Sequence, residues 1–246
     1  MACYNLTGKL ITIMTALDDL LTTIFDGKKP ALYPEFEGWV RGSRRFKAFA
    51  INYRAKIHAK LNHVRDEGGM KDLRAELETA ALLLREQRFT VEYERYAAAR
   101  QRGPDFTVTF KTHTPFNVEV RRIRSVELGD GDSEARIGKL TAVLCDKVGQ
   151  MPPSIVNLLW LTAEGDIPEA DLTRAMTALR QLAEHKAEDY FTRRGFKSAA
   201  HFLKQYGQLS GIVLRQSGKN RVWLNSLARH KTPREIVTAI QRLENS

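Results

Sequence analysis

The chain has 246 residues, 43% of them hydrophobic, enough to bury a core in one large domain or in a domain with a helical extension. Its formal charge of +10 at pH 7, with a pI near 9.7, points to an anionic partner, nucleic acid ahead of membrane, while Cys3 and Cys145 lie too far apart, with no Cys/His spacing around them, to build a zinc site. The apolar start Leu10–Leu17 is interrupted by threonines and closed by Asp18 and Asp19, too short to span a bilayer and without a signal-peptide cleavage pattern, so a cytoplasmic, reducing setting is expected.

Apolar residues at helical spacing from Leu6 to Phe25 predict an amphipathic helix over 6–26, stopped by Asp26 and Gly27. Two prolines and the nearby glycines make 28–38 a loop on this reading, anchored by Trp39. A long helix follows from Ser43, its N-cap, to about Arg65, with Phe46, Phe49, Tyr53, Ile57, Leu61 and Val64 along one stripe. Its other face is basic: Arg41, Arg44, Arg45, Lys47, Arg54, Lys56, Lys60 and Arg65 occur with no Asp or Glu among them. Such an array suits phosphates, although a solvated helix whose acids lie on neighbouring elements would read the same way. Asp66-Glu-Gly-Gly69 breaks the pattern and divides the chain into a basic helical region, 1–66, and an α/β domain, 67–246.

A helix over about 70–87 places Leu73, Leu77, Ala80, Ala81 and Leu84 inward, with Glu76 on its flank and Glu78 close by. Phe89–Arg95 alternates as a first strand. Residues 103–124, GPDFTVTFKTHTPFNVEVRRIR, read as a hairpin, because Phe106–Phe110 and Phe116–Val120 are β-branched and aromatic and Thr112–Pro115 is turn-prone. Strand parity puts Val118 and Val120 on one face and Glu119 and Arg121 on the other; in ordinary register Asp105, at the mouth of the first strand, approaches Glu119. Two carboxylates beside a fixed cation can hold a divalent metal. The acidic stretch 128–133 lacks the further acids and glycine of a calcium loop and reads as a turn. A helix over 134–150 turns Ile137, Leu140, Val143, Leu144 and Val148 inward, Pro152 and Pro153 stop it, and Ile155–Leu161 reads as a buried strand. Helices over 168–186 and 190–206 follow, the second interrupted at Gly195 and restarted at Ser198; then come strands 209–215 and 221–225 and a last helix opened by a Thr232-Pro-Arg-Glu235 capping box.

Pro104-Asp105 followed across a hairpin by Glu119-x-Arg121 resembles the signature of the restriction-endonuclease-like superfamily, the PD-(D/E)xK nucleases, with arginine where that motif has lysine. The predicted order over 70–162, helix, strand, strand, strand, helix, strand, is that superfamily's core order. The resemblance implies an α/β fold with a restriction-endonuclease-like core (αβββαβ on a central mixed sheet), here with a helical N-terminal extension and a C-terminal αββα addition. It further implies Mg²⁺ or Mn²⁺ held by Asp105 and Glu119, Glu76 completing the metal site with Glu78 as competitor, and hydrolysis of phosphodiester bonds. Arg121 can stabilise charge but, with a pKa above about 12, cannot act as a base. Lys147 on the following helix is a second source of a cation at the reacting centre, with Gln150 on the same helical face. Nucleic acid, DNA ahead of RNA, would contact the 41–65 cations and the strand end Arg121, Arg122 and Arg124. The alternative is a catalytically inactive nucleic-acid-binding or protein-interaction module on a degenerate nuclease fold, and a homo-oligomer or larger complex stays open. No phosphate loop, Gly-x-Ser-x-Gly or His-Glu-x-x-His competes with this reading.

Overall fold

The hairpin expected at 103–124 forms: strand β4, Phe106–Phe110, turns through Lys111 and Thr112, both at positive φ (53° and 82°), into the long strand β5, Thr114–Ile123. The computed structural model describes residues 3–4, 10–11, 16–96, 103–124 and 133–243, and the chain forms two compact units, Met1–Arg74 and Ala75–Ser246.

In the second unit six strands make one open mixed sheet in the order β3-β4-β5-β6-β7-β8, with β3 at Phe89–Tyr93, β6 at Val156–Ala163, β7 at Gly211–Gln216 and β8 at Lys219–Leu224. β3, β5, β6 and β7 run one way; β4 and β8 run against them. The pairs Tyr93↔Phe106 and Phe106↔Val118 place those residues, with Trp160 beyond them, on one face of the sheet. Helix α5, Glu67–Leu83, meets that face: Glu76 reaches Tyr93, and Glu78 reaches Arg215. The opposite face, through Ile123, Leu159, Leu161, Ile212 and Leu214, shares one buried core with helices α6 (Ser133–Val148), α7 (Glu169–Glu184), α8 (Glu188–Thr192) and α9 (Ala199–Tyr206). Covered on both faces, β6 can be the near-continuous apolar run VNLLWLTA. Cys145 lies in this core, where burial pushes its thiol up to about 12, so it packs as a small apolar side chain. The last helix, α10, is Arg234–Gln241.

The first unit holds a short antiparallel pair, β1 (Cys3–Tyr4) with β2 (Leu10–Ile11), and helices α1 (Ala16–Phe25), α2 (Tyr33–Gly42), α3 (Arg44–Asn52) and α4 (Arg54–His63). Phe25, Tyr33, Phe36, Trp39, Phe46, Phe49 and Tyr53 form a chain of ring contacts, each pair within 6.4 Å between centroids. Five of these seven contacts are edge-to-face, an arrangement that the ring quadrupole favours.

Four expectations are corrected. Within the predicted helix over 6–26, Leu10–Ile11 is extended, as its Ile and Thr neighbours favour, and the described helix is α1, Ala16–Phe25. The loop expected over 28–38 contains the start of α2, since Pro34 sits in the first turn, where a missing N–H costs no intrahelical bond. The single helix over 43–65 is two, broken at Tyr53, whose φ of −110° and ψ of 15° leave the helical region; Ser43 does cap α3, its Oγ accepting the Phe46 N–H at 3.1 Å. The capping box at Thr232 does not form: Pro233 takes the cap position, Glu235 is drawn instead to Lys111 at 2.8 Å, and Thr232 Oγ1 has no partner among the described residues. Ser198 caps α9 as expected, accepting the His201 N–H at 3.0 Å. The acidic turn at 128–132 lies outside the described residues. Among the described residues no helix is long and apolar enough to cross a membrane.

Candidate functional site

Pro104 is tolerated where it stands because the ladder between β4 and β5 ends at Phe106↔Val118. The next β5 donor on that side, the Val120 N–H, is taken by the Asp105 side chain: Oδ2 accepts it at 2.8 Å. The Asp105 carbonyl accepts the Glu94 N–H at 2.7 Å, so both ends of the residue are gripped, one by β5 and one by the exit of β3. Continuing the register one step sets Asp105 opposite Glu119.

Glu119 points to the face covered by α6 and is only 7% exposed. A carboxylate held so far from water requires a counter-charge. Lys147, in the last turn of α6, supplies it, its Nζ lying 2.5 Å from Glu119 Oε1. Arg121 follows two residues along the same face and is half-buried. Thus Asp105, Glu119, Arg121 and Lys147 occupy one region at the end of β4, whereas Gln150 turns its amide to the Asp146 carbonyl of its own helix end.

Glu76 approaches the same sheet end from the other face. Burial first, then the nearby negative charges of Glu76, Glu94 and Asp105, push the Tyr93 phenol far above its ordinary range, so it stays protonated. Glu78 is turned away, 3.6 Å from Arg215. Among the described residues, no three or more His, Cys, Asp or Glu side chains stand in metal-holding geometry. Asp105 and Glu119 are the two carboxylates here that could hold a cation such as Mg²⁺, which is commonly bound by one or two carboxylates with water and phosphate oxygens completing its shell.

The cations of the first unit are placed as follows. Arg41, Arg44 and Arg54 are exposed, and Arg45, Lys47, Lys56 and Lys60 are half-buried. Arg41 pairs with Glu37 at 2.7 Å, Arg54 donates to the Ile51 carbonyl at 3.0 Å, and Lys56 lies 5.8 Å from the Tyr53 ring centroid. Arg122 is 7% exposed and paired with Glu164 at 2.6 Å, which leaves little of it for a phosphate; Arg124 is half-buried. What the sequence reading missed is a buried polar row beside the site. Asn117 accepts from Thr107 Oγ1 at 3.0 Å and donates to Asn157 Oδ1 at 2.9 Å and to the Tyr96 hydroxyl at 3.2 Å. An asparagine interrupting each of the apolar strands β5 and β6, at paired positions, was the available sign. No protein-family model, curated protein or solved structure matches the chain.

Proposed function

We propose that the protein is a metal-dependent nuclease-like phosphodiesterase in which Asp105 and Glu119 hold Mg²⁺ or Mn²⁺ and Lys147 stands in for the lysine that Arg121 replaces. The observation that carries this reading is the Lys147 ammonium 2.5 Å from Glu119, directly across the hairpin from Asp105. It is supported by the element order from α5 to β6, helix, strand, strand, strand, helix, strand, on a mixed sheet with the second of those strands reversed, which accords with the restriction-endonuclease-like core that the Pro104-Asp105 and Glu119-x-Arg121 motif resembles.

A bound divalent cation relieves charge on the phosphoryl group and lowers the pKa of an attached water. The chain's own residues then do the rest. Asp105, with Oδ2 fixed by the Val120 amide, presents a hard anion that cannot swing away. Lys147 carries a compact ammonium with three donors, able to orient a water against Glu119 and to balance negative charge on the phosphate. Arg121 contributes positive charge on the same face and exchanges no proton. Glu76 adds a negative charge beside Tyr93 on the α5 side of the strand end. The basic helices α3 and α4 supply the sequence-independent attraction for a polyanion.

The test is cleavage of plasmid DNA and of single-stranded RNA by the purified protein with Mg²⁺ or Mn²⁺, beside the Glu119→Gln variant. Cleavage by the wild type and none by the variant is expected. Wild-type protein that cuts neither substrate and binds no Mn²⁺ overturns the reading; salt-sensitive nucleic-acid binding without cleavage would make it a binding module.

A further inference from the structure

We infer that Tyr96 is a positioning residue that holds the Asp105-bearing and Glu119-bearing segments in one register, an inference that rests on the proposed reading for its metal consequence but not for its geometry. Tyr96 touches both segments. Its ring lies over Gly103, two residues before Asp105, so closely that a Cβ on Gly103 would stand 2.5 Å from both Cβ and Cγ of Tyr96. Those atoms sit next to the Tyr96 backbone, so rotating the ring cannot clear them. Only glycine allows the contact. Its hydroxyl accepts from Asn117 Nδ2 at 3.2 Å, and Asn117 precedes Glu119 by two residues on the same strand face.

Asn117 has no slack to absorb a change. It is fully buried, its second amide hydrogen goes to Asn157 Oδ1 at 2.9 Å, and its oxygen accepts from Thr107 at 3.0 Å. Without the Tyr96 hydroxyl one buried amide hydrogen loses its acceptor, a loss that drives rearrangement. The tie of the Gly103–Asp105 segment to β5 then rests more heavily on the Asp105 carboxylate at the Val120 N–H.

The experiment uses the full-length protein and two variants. Tyr96→Phe keeps the ring and removes the hydroxyl; Gly103→Ala keeps the hydroxyl and displaces the ring. Amide hydrogen exchange at Val120 reads the Asp105 contact without metal, exchange at Leu159 and Leu161 in β6 reports general loosening, and Mn²⁺ affinity is measured by electron paramagnetic resonance. Expected in both variants is exchange at Val120 faster by about tenfold, with the β6 amides unchanged. Mn²⁺ affinity should fall about 10- to 100-fold, the usual effect of losing a group that orients a ligand. Unchanged exchange at Val120 in both variants overturns the inference, as does equal acceleration at Val120 and throughout β6. Faster exchange at Val120 in protein that binds no Mn²⁺ supports Tyr96 as the clamp and refutes the metal reading of the pair.

Discussion

Glu119 and Lys147 belong together, because a carboxylate only 9% exposed is costly to bury unpaired, and the Lys147 ammonium is its partner. Removing one member of a fully buried pair costs about 3–5 kcal/mol. Lys147 retains 21% exposure, so Lys147→Met should cost less, about 1–3 kcal/mol by urea unfolding. The same variant should bind Mn²⁺ more tightly, since the competing cation on Glu119 is gone, and should lose cleavage. Unaltered stability and Mn²⁺ affinity would remove Lys147 from the site. Asp105→Asn separates fold from chemistry: the amide oxygen can still accept the Val120 N–H, but a hard anionic ligand is lost, so the variant should fold and fail to cleave. Arg121→Lys should keep or raise activity, since it puts a second compact ammonium on the Glu119 face; a loss beyond about tenfold would show that the guanidinium fork is required.

Between elements, the contact of α6 with α7 is closed by Asp171, which accepts from Ser133 Oγ at 2.7 Å and from Arg136 Nε at 2.6 Å. Burial alone would raise the Asp171 carboxyl, but the hydroxyl and guanidinium outweigh it and hold it below the usual carboxylate range. A carboxyl depressed on folding contributes stability that is complete above its unfolded pKa of about 3.9 and is lost as pH falls through the lower folded value. Asp171→Asn should therefore be less stable than wild type at pH 6, with the gap closing below about pH 4. A gap that stays constant from pH 6 to pH 3 would mean that packing, not charge, carries the contact. On the other side of the sheet β7 meets β8 at Gly211, where a Cβ would lie 2.7 Å from the Trp223 carbonyl oxygen. Backbone in a paired strand cannot swing aside, so Gly211→Ala should cost about 1–3 kcal/mol in chemical denaturation.

At the scale of the whole molecule the excess of ten positive charges is unevenly spread, with no acid between Arg41 and Arg65. DNA bound through that region would release counterions, so on the proposed reading affinity should fall by orders of magnitude between about 50 and 200 mM salt if six or more phosphates are contacted. Replacing exposed Arg44 and Arg54 together by Ala should make the slope of log affinity against log salt shallower by about two units. An identical slope in the double variant would place the nucleic acid elsewhere.

The local part of this architecture was legible in the amino-acid sequence. The paired strands β4 and β5 follow from short β-branched runs around a turn, which brings Asp105 towards Glu119; the turn expected at Thr112–Pro115 is tighter, with Thr114 and Pro115 already paired in β5, and that closes the register on Glu119. The caps at Ser43 and Ser198 were equally readable, because a cap involves residues three apart. Tertiary structure decided the rest. It chose Glu76 for Tyr93 and Glu78 for Arg215, took Glu235 from its expected box to Lys111, 124 residues away, and turned the 28–38 segment partly helical within an aromatic cluster. It also set Tyr96 between Gly103 and Asn117. Propensity and capping act over a few residues, whereas the partner of a buried charge or hydroxyl is whichever group the folded chain carries past it, and that is settled only when the elements pack.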